Sequence, residues 1–426
     1  MHVLVIGGGG REHALAWKLK QSPRVKKLTC APGNAGMATL GECVPVDAND
    51  AEAIAALAER IKADLAVIGP EAPLVAGVAD EFARRKLAIV GPTKAAAELE
   101  GSKVFAKQFM QRHGIPTAGF TVCADHGDAY SALCAVEWPV VIKADGLAAG
   151  KGVRIAETPD DATAIVEAFM EKVELGPAGE RIVLEEYLEG EELSFIILTD
   201  GKSYVPLAPT RDHKRAFDDD RGPNTGGMGA YSEDGIADAA LRARIAKEIV
   251  EPTLRGLAAD GRPYQGFLYF GLMLTSEGPK VLEFNCRMGD PECQPLVARL
   301  ESDLAEALEK VATGKLDGTE LRWSPGASLC VVLASGGYPG NYETGKAITG
   351  IEAAEKLEGV SVFHAGTKRA DGKLLTSGGR VLGVTAHGPV LRDAAEHAYA
   401  AVEKIRFEGM HYRRDIGRKA LQKTKA

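Results

Sequence analysis

The stretch VIKADGLAAGKGV, residues 141–153, limits the possible folds of this chain more than any other. An apolar run that reads as a buried strand enters a loop with three glycines and a lysine at each end. Gly146, Gly150 and Gly152 lack a Cβ, so the backbone can take positive φ and bring its N–H groups close to phosphate oxygens, while Lys143 and Lys151 add charge. The spacing departs from the P-loop pattern, with three residues between Gly146 and Gly150 and Gly152 in place of a Mg²⁺-binding hydroxyl. After the loop, Val153-Arg154-Ile155-Ala156 alternates with period two. The expectation is a hairpin that closes over the phosphates of a nucleotide; a plain hairpin turn with solvated lysines is the alternative.

A chain of 426 residues predicts two to four domains, and a net charge of −8 argues against a nucleic-acid surface. The basic tail 413–425 reads as a solvated C-terminal helix. Seven cysteines, odd in number and without a CxxC pair, fit a reduced compartment, for which the cytoplasm is the expectation. No apolar run approaches 18 residues and no signal segment opens the chain, so no membrane partner is expected.

The N-terminal third alternates strands and helices: a strand at 2–6, Gly7-Gly8-Gly9-Gly10, a helix at 11–21, then strands at 27–30, 66–68 and 87–90. That rhythm predicts a parallel α/β domain whose Gly-rich loops, 31–36 and 69–73, carry ligands. The glycines fail the dinucleotide pattern but suit one phosphate at a helix N-terminus, or a structural turn. Ser102 is placed to cap a helix at 103–113, which marks a boundary; 185–190 reads as a connector between two lobes, and another boundary falls near 315–319, before an apolar strand at 327–334.

Strand 280–285 predicts Glu283 and Asn285 on one face, two hard oxygen ligands suited to Mg²⁺, with Leu282 and Phe284 filling the other. A strand with a polar outer face is the alternative. In the loop that follows, Arg287 could bind a carboxylate bidentately and Asp290 an ammonium group; an intraloop salt-bridge network competes with that reading. Cys286 reads as a small buried residue. Asp212, His213 and the Gly-rich 224–229 suggest a second anion pocket, with His213 a hydrogen-bonding surface residue and not a general base. No Ser-His-Asp, Cys-His or metal-spaced His/Cys cluster occurs, so chemistry through ATP and Mg²⁺ is the simplest account.

Five motifs, VIGGGGREHALAWKL (5–19), GPEAPLVAG (69–77), DHKRAFDDDRGPNTGGMGAYS (212–232), EFNCRMGDPECQ (283–294) and HYRRDIG (411–417), together resemble the glycinamide ribonucleotide synthetase family of the ATP-grasp superfamily. The resemblance runs along almost the whole chain. It implies an α/β fold with a parallel pre-ATP-grasp domain (1–101), a two-lobed ATP-grasp domain (102–318, flap lobe about 118–187) and a small α+β domain (319–426). It also implies ATP-dependent ligation of glycine to 5-phosphoribosylamine through glycyl phosphate, in purine biosynthesis, by a monofunctional chain. Transient contact with the enzyme that supplies phosphoribosylamine is a further partner that it admits.

By motif position, Lys103, Lys143 and Lys151, with Gly146 and Gly150, would bind phosphates; Glu185, Glu186 and Leu188 would meet the adenine edge and Glu192 the ribose. Glu283 and Asn285 would hold Mg²⁺ or Mn²⁺. Gly9, Gly10, Asn34 and Glu71 would face the ribose phosphate, and Asp212, Thr225, Gly226, Gly227, Met228, Arg287 and Asp290 would frame glycine and the new bond. Strand 266–275 lacks the acidic ligand that many ATP-grasp enzymes add, which leaves the metal count open. Two rivals stand beside this reading: an ATP-grasp carboxylase using bicarbonate, which would not need the Arg287 loop, and a nucleotide-binding regulator without catalysis.

Overall fold

The computed structural model describes residues 1–148 and 152–423. The chain opens with a five-stranded parallel sheet in the order Glu42–Cys43, Lys27–Pro32, His2–Gly7, Leu65–Ile68, Ile89–Val90. Helices cover both faces, so Val3, Leu4, Val5 and Ile6 are all fully buried. Alternate residues of that one strand feed different cores: Leu4 and Ile6 join the largest cluster, Val3 and Val5 a second.

Helix Lys103–Arg112 starts where the sequence places it. Ser102 Oγ accepts from Phe105 N (3.0 Å) and donates to Asp145 Oδ1 (2.8 Å), which ties the helix cap to the start of the glycine loop. The predicted hairpin is present as antiparallel strands Val140–Ala144 and Val153–Ala156, completed by Ile182–Glu186 and Phe120–Cys123. This four-stranded sheet packs on its own core of Ile142, Phe169, Ile182 and Leu184.

A second antiparallel sheet runs Tyr204–Pro206, Glu191–Thr199, Gly266–Thr275, Gly278–Asn285. Residues 185 and 186 belong to a strand, so the connector between the lobes is shorter than the sequence suggests. The third large sheet brings Arg211–Asp212 and Gly229–Glu233 beside Ala327–Ala334, Arg380–Gly388 and Val360–His364. Two short strands from the middle of the chain thus complete the C-terminal sheet, which fixes the 212–228 segment against both. Among the described residues, no helix is long and apolar enough to cross a membrane.

Candidate active site

The sheets meet around a cavity of about 1340 Å³. Of the residues singled out from sequence, Gly9, Glu71, Lys143, Glu185, Glu186, Leu188, Glu192, Asp212, Thr225, Gly226, Glu283, Asn285, Arg287 and Asp290 line it. Lys103 lies just behind, with Nζ donating to Gly146 O at 2.9 Å, and Gly227 and Met228 back the wall, buried. Gly150 and Lys151 lie outside the described residues. The 211–229 segment belongs to this same cavity and does not form a second pocket.

One end is an apolar slot lined by Val141, Val153, Leu188, Met273 and Leu282, suited to a flat ring. Leu282 departs from the expected period: it faces the cavity, while Val281 and Phe284 are buried in the core. The cause is a β-bulge, since Leu272 pairs with Val281 and Gly271 with Glu283, leaving Leu282 unpaired. Beside the slot, Glu185 accepts from Lys143 (2.9 Å) and Lys107 (2.7 Å), all three nearly inaccessible to solvent. Lys143 also donates to Leu282 O at 2.9 Å. Burial lowers the Lys107 pKa to about 8 against the pull of Glu185. Removing one partner of such a buried pair costs roughly 3–5 kcal/mol.

In the middle of the cavity, Glu283 and Asn285 project side by side. Lys214 reaches both Glu283 and Glu192 at 3.3 Å. Lys214 lowers the Glu283 pKa to about 2, against burial and helped by Lys143 and Lys103, so the carboxylate is ionised at any working pH. Asn285 Oδ1 accepts from Arg287 Nη2 (3.1 Å). Two oxygens projecting side by side into the cavity are a donor set of the kind that suits Mg²⁺ or Mn²⁺. Among the described residues no group of three or more His, Cys, Asp or Glu could hold a metal by itself, and the neighbour of Glu283 on the preceding strand is Gly271.

The far end is assembled from distant segments. Arg287 pairs with Glu100 (2.8 Å) and Glu71 (3.4 Å) and donates to Met288 O (3.3 Å). Nη1 and Nη2 are hydrogen-bonded within the protein, whereas Nε lies in ion-pair reach of Glu71 but has no hydrogen-bond partner among the described residues; Arg287 thus serves mainly as a cross-brace, with its charge and one N–H toward the cavity. No intraloop salt bridge forms. Burial raises the Glu100 pKa to about 7 even with Arg287 beside it. Asp290 pairs with Arg380 at 2.9 Å and accepts from Gln294 at 2.8 Å, so it is not free for an ammonium group. Burial pushes its pKa up, but Arg380 and Arg11 outweigh that and hold it low. Arg380 was missed from sequence; its one signal is the Gly378-Gly379 pair that turns the chain just before it.

Asp212 is the exception among these carboxylates. Its Oδ1 is buried without a hydrogen-bond partner among the described residues, and burial and Glu292 raise its pKa well above the ordinary value. Glu292 is itself buried and, among the described residues, its side chain accepts only from Ser194 Oγ, at 3.1 Å. Gly227, at φ +109°, leaves the space: a Cβ there would meet Pro291 Cδ at 2.4 Å and Asp212 Oδ1 at 3.0 Å.

Three of the residues singled out from sequence are engaged by protein neighbours. The Gly9 amide donates to Glu12 Oε2, so the first glycine loop is braced from within, while Gly8 and Gly9 still line the cavity. Asn34 Nδ2 donates to Gly8 O (2.9 Å) and His364 O (2.7 Å) while Oδ1 accepts from Gly36 and Met37, and with Gly10 it lies outside the cavity lining. His213 is half-buried, accepts from Gly417 N at 3.2 Å, and burial together with Arg413 lowers its pKa to about 4. Cys286 is buried as expected.

Comparison with known proteins agrees with this architecture. The Phosphoribosylglycinamide synthetase N domain matches residues 1–100, its ATP-grasp (A) domain 101–293 and its C domain 328–419. The chain is 51% identical over 424 residues (99% of this chain, 100% of the relative) to a phosphoribosylamine–glycine ligase of Ralstonia nicotianae. It is 50% identical over 428 residues (100% and 99%) to that of Pseudomonas aeruginosa. The crystal structure of a phosphoribosylamine–glycine ligase from Thermotoga maritima superposes with a TM-score of 0.85 at 36% identity, covering 98% of this chain and 100% of the other. A biotin carboxylase from Campylobacter jejuni, at 16% identity and TM-score 0.72 over 96% and 92%, shares the fold.

Proposed function

The chain belongs to the phosphoribosylglycinamide synthetase family, whose ATP-dependent reaction joins glycine to 5-phosphoribosylamine in purine biosynthesis, and from that premise we propose how its cavity divides the work. ATP occupies the apolar slot, with adenine against Leu188 and Leu282, ribose near Glu192, and phosphates toward Lys103 and Lys143. Glu283 and Asn285 hold Mg²⁺ or Mn²⁺, which would neutralise phosphate charge during transfer. Glycine lies beyond them, its ammonium on Asp212 and Glu292.

The observation that carries this orientation is the Asp212 carboxylate: its Oδ1 is buried without a hydrogen-bond partner among the described residues, and burial and Glu292 hold its pKa up despite the pull of Lys214 and Arg380, so it suits an ammonium group and would regain its charge on binding one. Arg287 and Lys214 supply positive charge where glycine's carboxylate would meet the γ-phosphate. A glycine oxygen attacks that phosphorus in line and ADP leaves; the amine of phosphoribosylamine then attacks the carbonyl of glycyl phosphate, and phosphate departs with the glycine oxygen. The residues contribute positioning and electrostatics, because an acyl phosphate is already reactive toward an amine.

Turnover of glycine labelled with ¹⁸O in its carboxylate tests the route. One labelled oxygen per released phosphate is expected; unlabelled phosphate would contradict it.

A further inference from the structure

The 411–417 motif supplies no group to the chemistry of the cavity, yet its side chains and amides are held by a dense set of hydrogen bonds and ion pairs. Arg413 is 1% exposed and grips Asp415 with two parallel hydrogen bonds, at 2.7 and 2.8 Å. Its remaining nitrogen, Nη1, pairs with Asp220 (2.9 Å) and donates to Arg215 O (3.1 Å). Around it, Asp415 Oδ2 accepts from Asp219 N (2.9 Å), Arg414 N donates to Asp218 Oδ1 (2.8 Å), and Lys419 pairs with Asp220 (2.6 Å). Gly417 N caps His213, and His411 Nε2 meets Ala216 O at 2.8 Å. Apart from the Arg413–Asp415 pair, each of these contacts ends on residues 213–220.

That target segment would not hold its shape unaided. Asp219 and Asp220 both take left-handed backbone, φ 61° and 52°, which an aspartate adopts only at some cost. The hairpin Arg215–Phe217/Arg221–Asn224 is an isolated two-stranded ribbon with a broken register, and such ribbons are marginal on their own. Its two ends carry Asp212 and Lys214 on one side and Thr225, whose amide and hydroxyl both donate to Lys214 O, on the other.

We propose that Arg413 is a positioning residue for the reaction: through Asp415 and Asp220 it clamps the 213–224 ribbon so that Asp212, Lys214 and Thr225 keep their places around glycine. The guanidinium fork is required, because a lysine cannot bind Asp415 with two parallel bonds and still reach Asp220 and a carbonyl. The proposal rests on the placement of glycine beside Asp212. It says nothing of the apolar slot, which Arg413 does not touch.

The test is steady-state kinetics of Arg413→Lys in the full chain, with thermal melting as the control for folding. A displacement of the ribbon by an ångström or less is expected to lower kcat and raise the glycine KM about tenfold each, with the ATP KM within about twofold. Wild-type kcat in Arg413→Lys would overturn the proposal, as would ATP and glycine KM rising together. Should that variant not fold, Asp220→Asn, which keeps a side chain tolerant of left-handed backbone, decides: a smaller loss in the same pattern supports the clamp and unchanged constants reject it. Asp212→Asn run in parallel separates the premises. If it spares the glycine KM the placement of glycine fails, while kcat of the Arg413 variant still judges the clamp.

Discussion

The two ends of the cavity are built in different ways. At the nucleotide end, Lys143, Glu185 and Leu188 come from one lobe with its own core, and the charged groups there are already paired with one another. At the acceptor end, Asp212, Arg287, Asp290 and Arg380 arrive from segments up to 168 residues apart, and among the described residues the buried Asp212 Oδ1 is left without a hydrogen-bond partner. The contrast teaches how each end is held together. The first end needs one four-stranded sheet closed by Lys107, Met273 and Leu282 from the elements beside it, whereas the acceptor end is shaped only when all three parts of the chain are in place.

Mutations can break that division. The largest effect belongs to the shared middle: Glu283→Ala is expected to lower kcat by at least about 10²–10³ with an unchanged circular dichroism spectrum. Near-normal turnover with Mg²⁺ would remove the metal assignment and the boundary between the ends with it. Next, Asp212→Asn is expected to raise the glycine KM by about 10- to 100-fold, the loss of one charged hydrogen bond, and to leave the ATP KM in place. Lys143→Ala is the mirror image, with an ATP KM up about tenfold and glycine unaffected; equal shifts in both constants in either variant would merge the two ends.

The smallest effect concerns Glu100. Its folded pKa of about 7 lies above its ordinary value of 4.5, so the stability that comes with its protonation is complete below pH 4.5 and lost as pH rises through 7. Glu100→Gln cannot ionise. Its melting temperature relative to wild type should therefore climb by a few degrees between pH 5 and 8; a constant difference would mean that Glu100 keeps its charge.

The same contrast explains how much could be read from the sequence. The nucleotide end is local: a strand, a glycine loop and a second strand follow one another within 141–153, and period and turn chemistry suffice to place them. The strand 327–334 and the cap at Ser102 were legible for the same reason. Leu282 was misjudged because a bulge depends on the partner strand, which no pattern within 280–285 reveals. Asp290 was given an ammonium group because its true partner, Arg380, lies 90 residues away. The brace within the first glycine loop was not legible because Glu12 turns back on Gly9 only in the folded helix. The tail looked solvated because Arg413 is buried against Asp220, a partner 193 residues earlier in the chain.

The central claim is that one cavity couples ATP cleavage to glycine at its far end. Mg²⁺-dependent ADP release by the purified chain, with phosphoribosylamine generated in situ, tests it most directly by comparing glycine, bicarbonate and no third substrate. The account requires release only with glycine, together with a product of glycinamide ribonucleotide mass. Release that follows bicarbonate, or ignores both, would keep the fold and contradict the function.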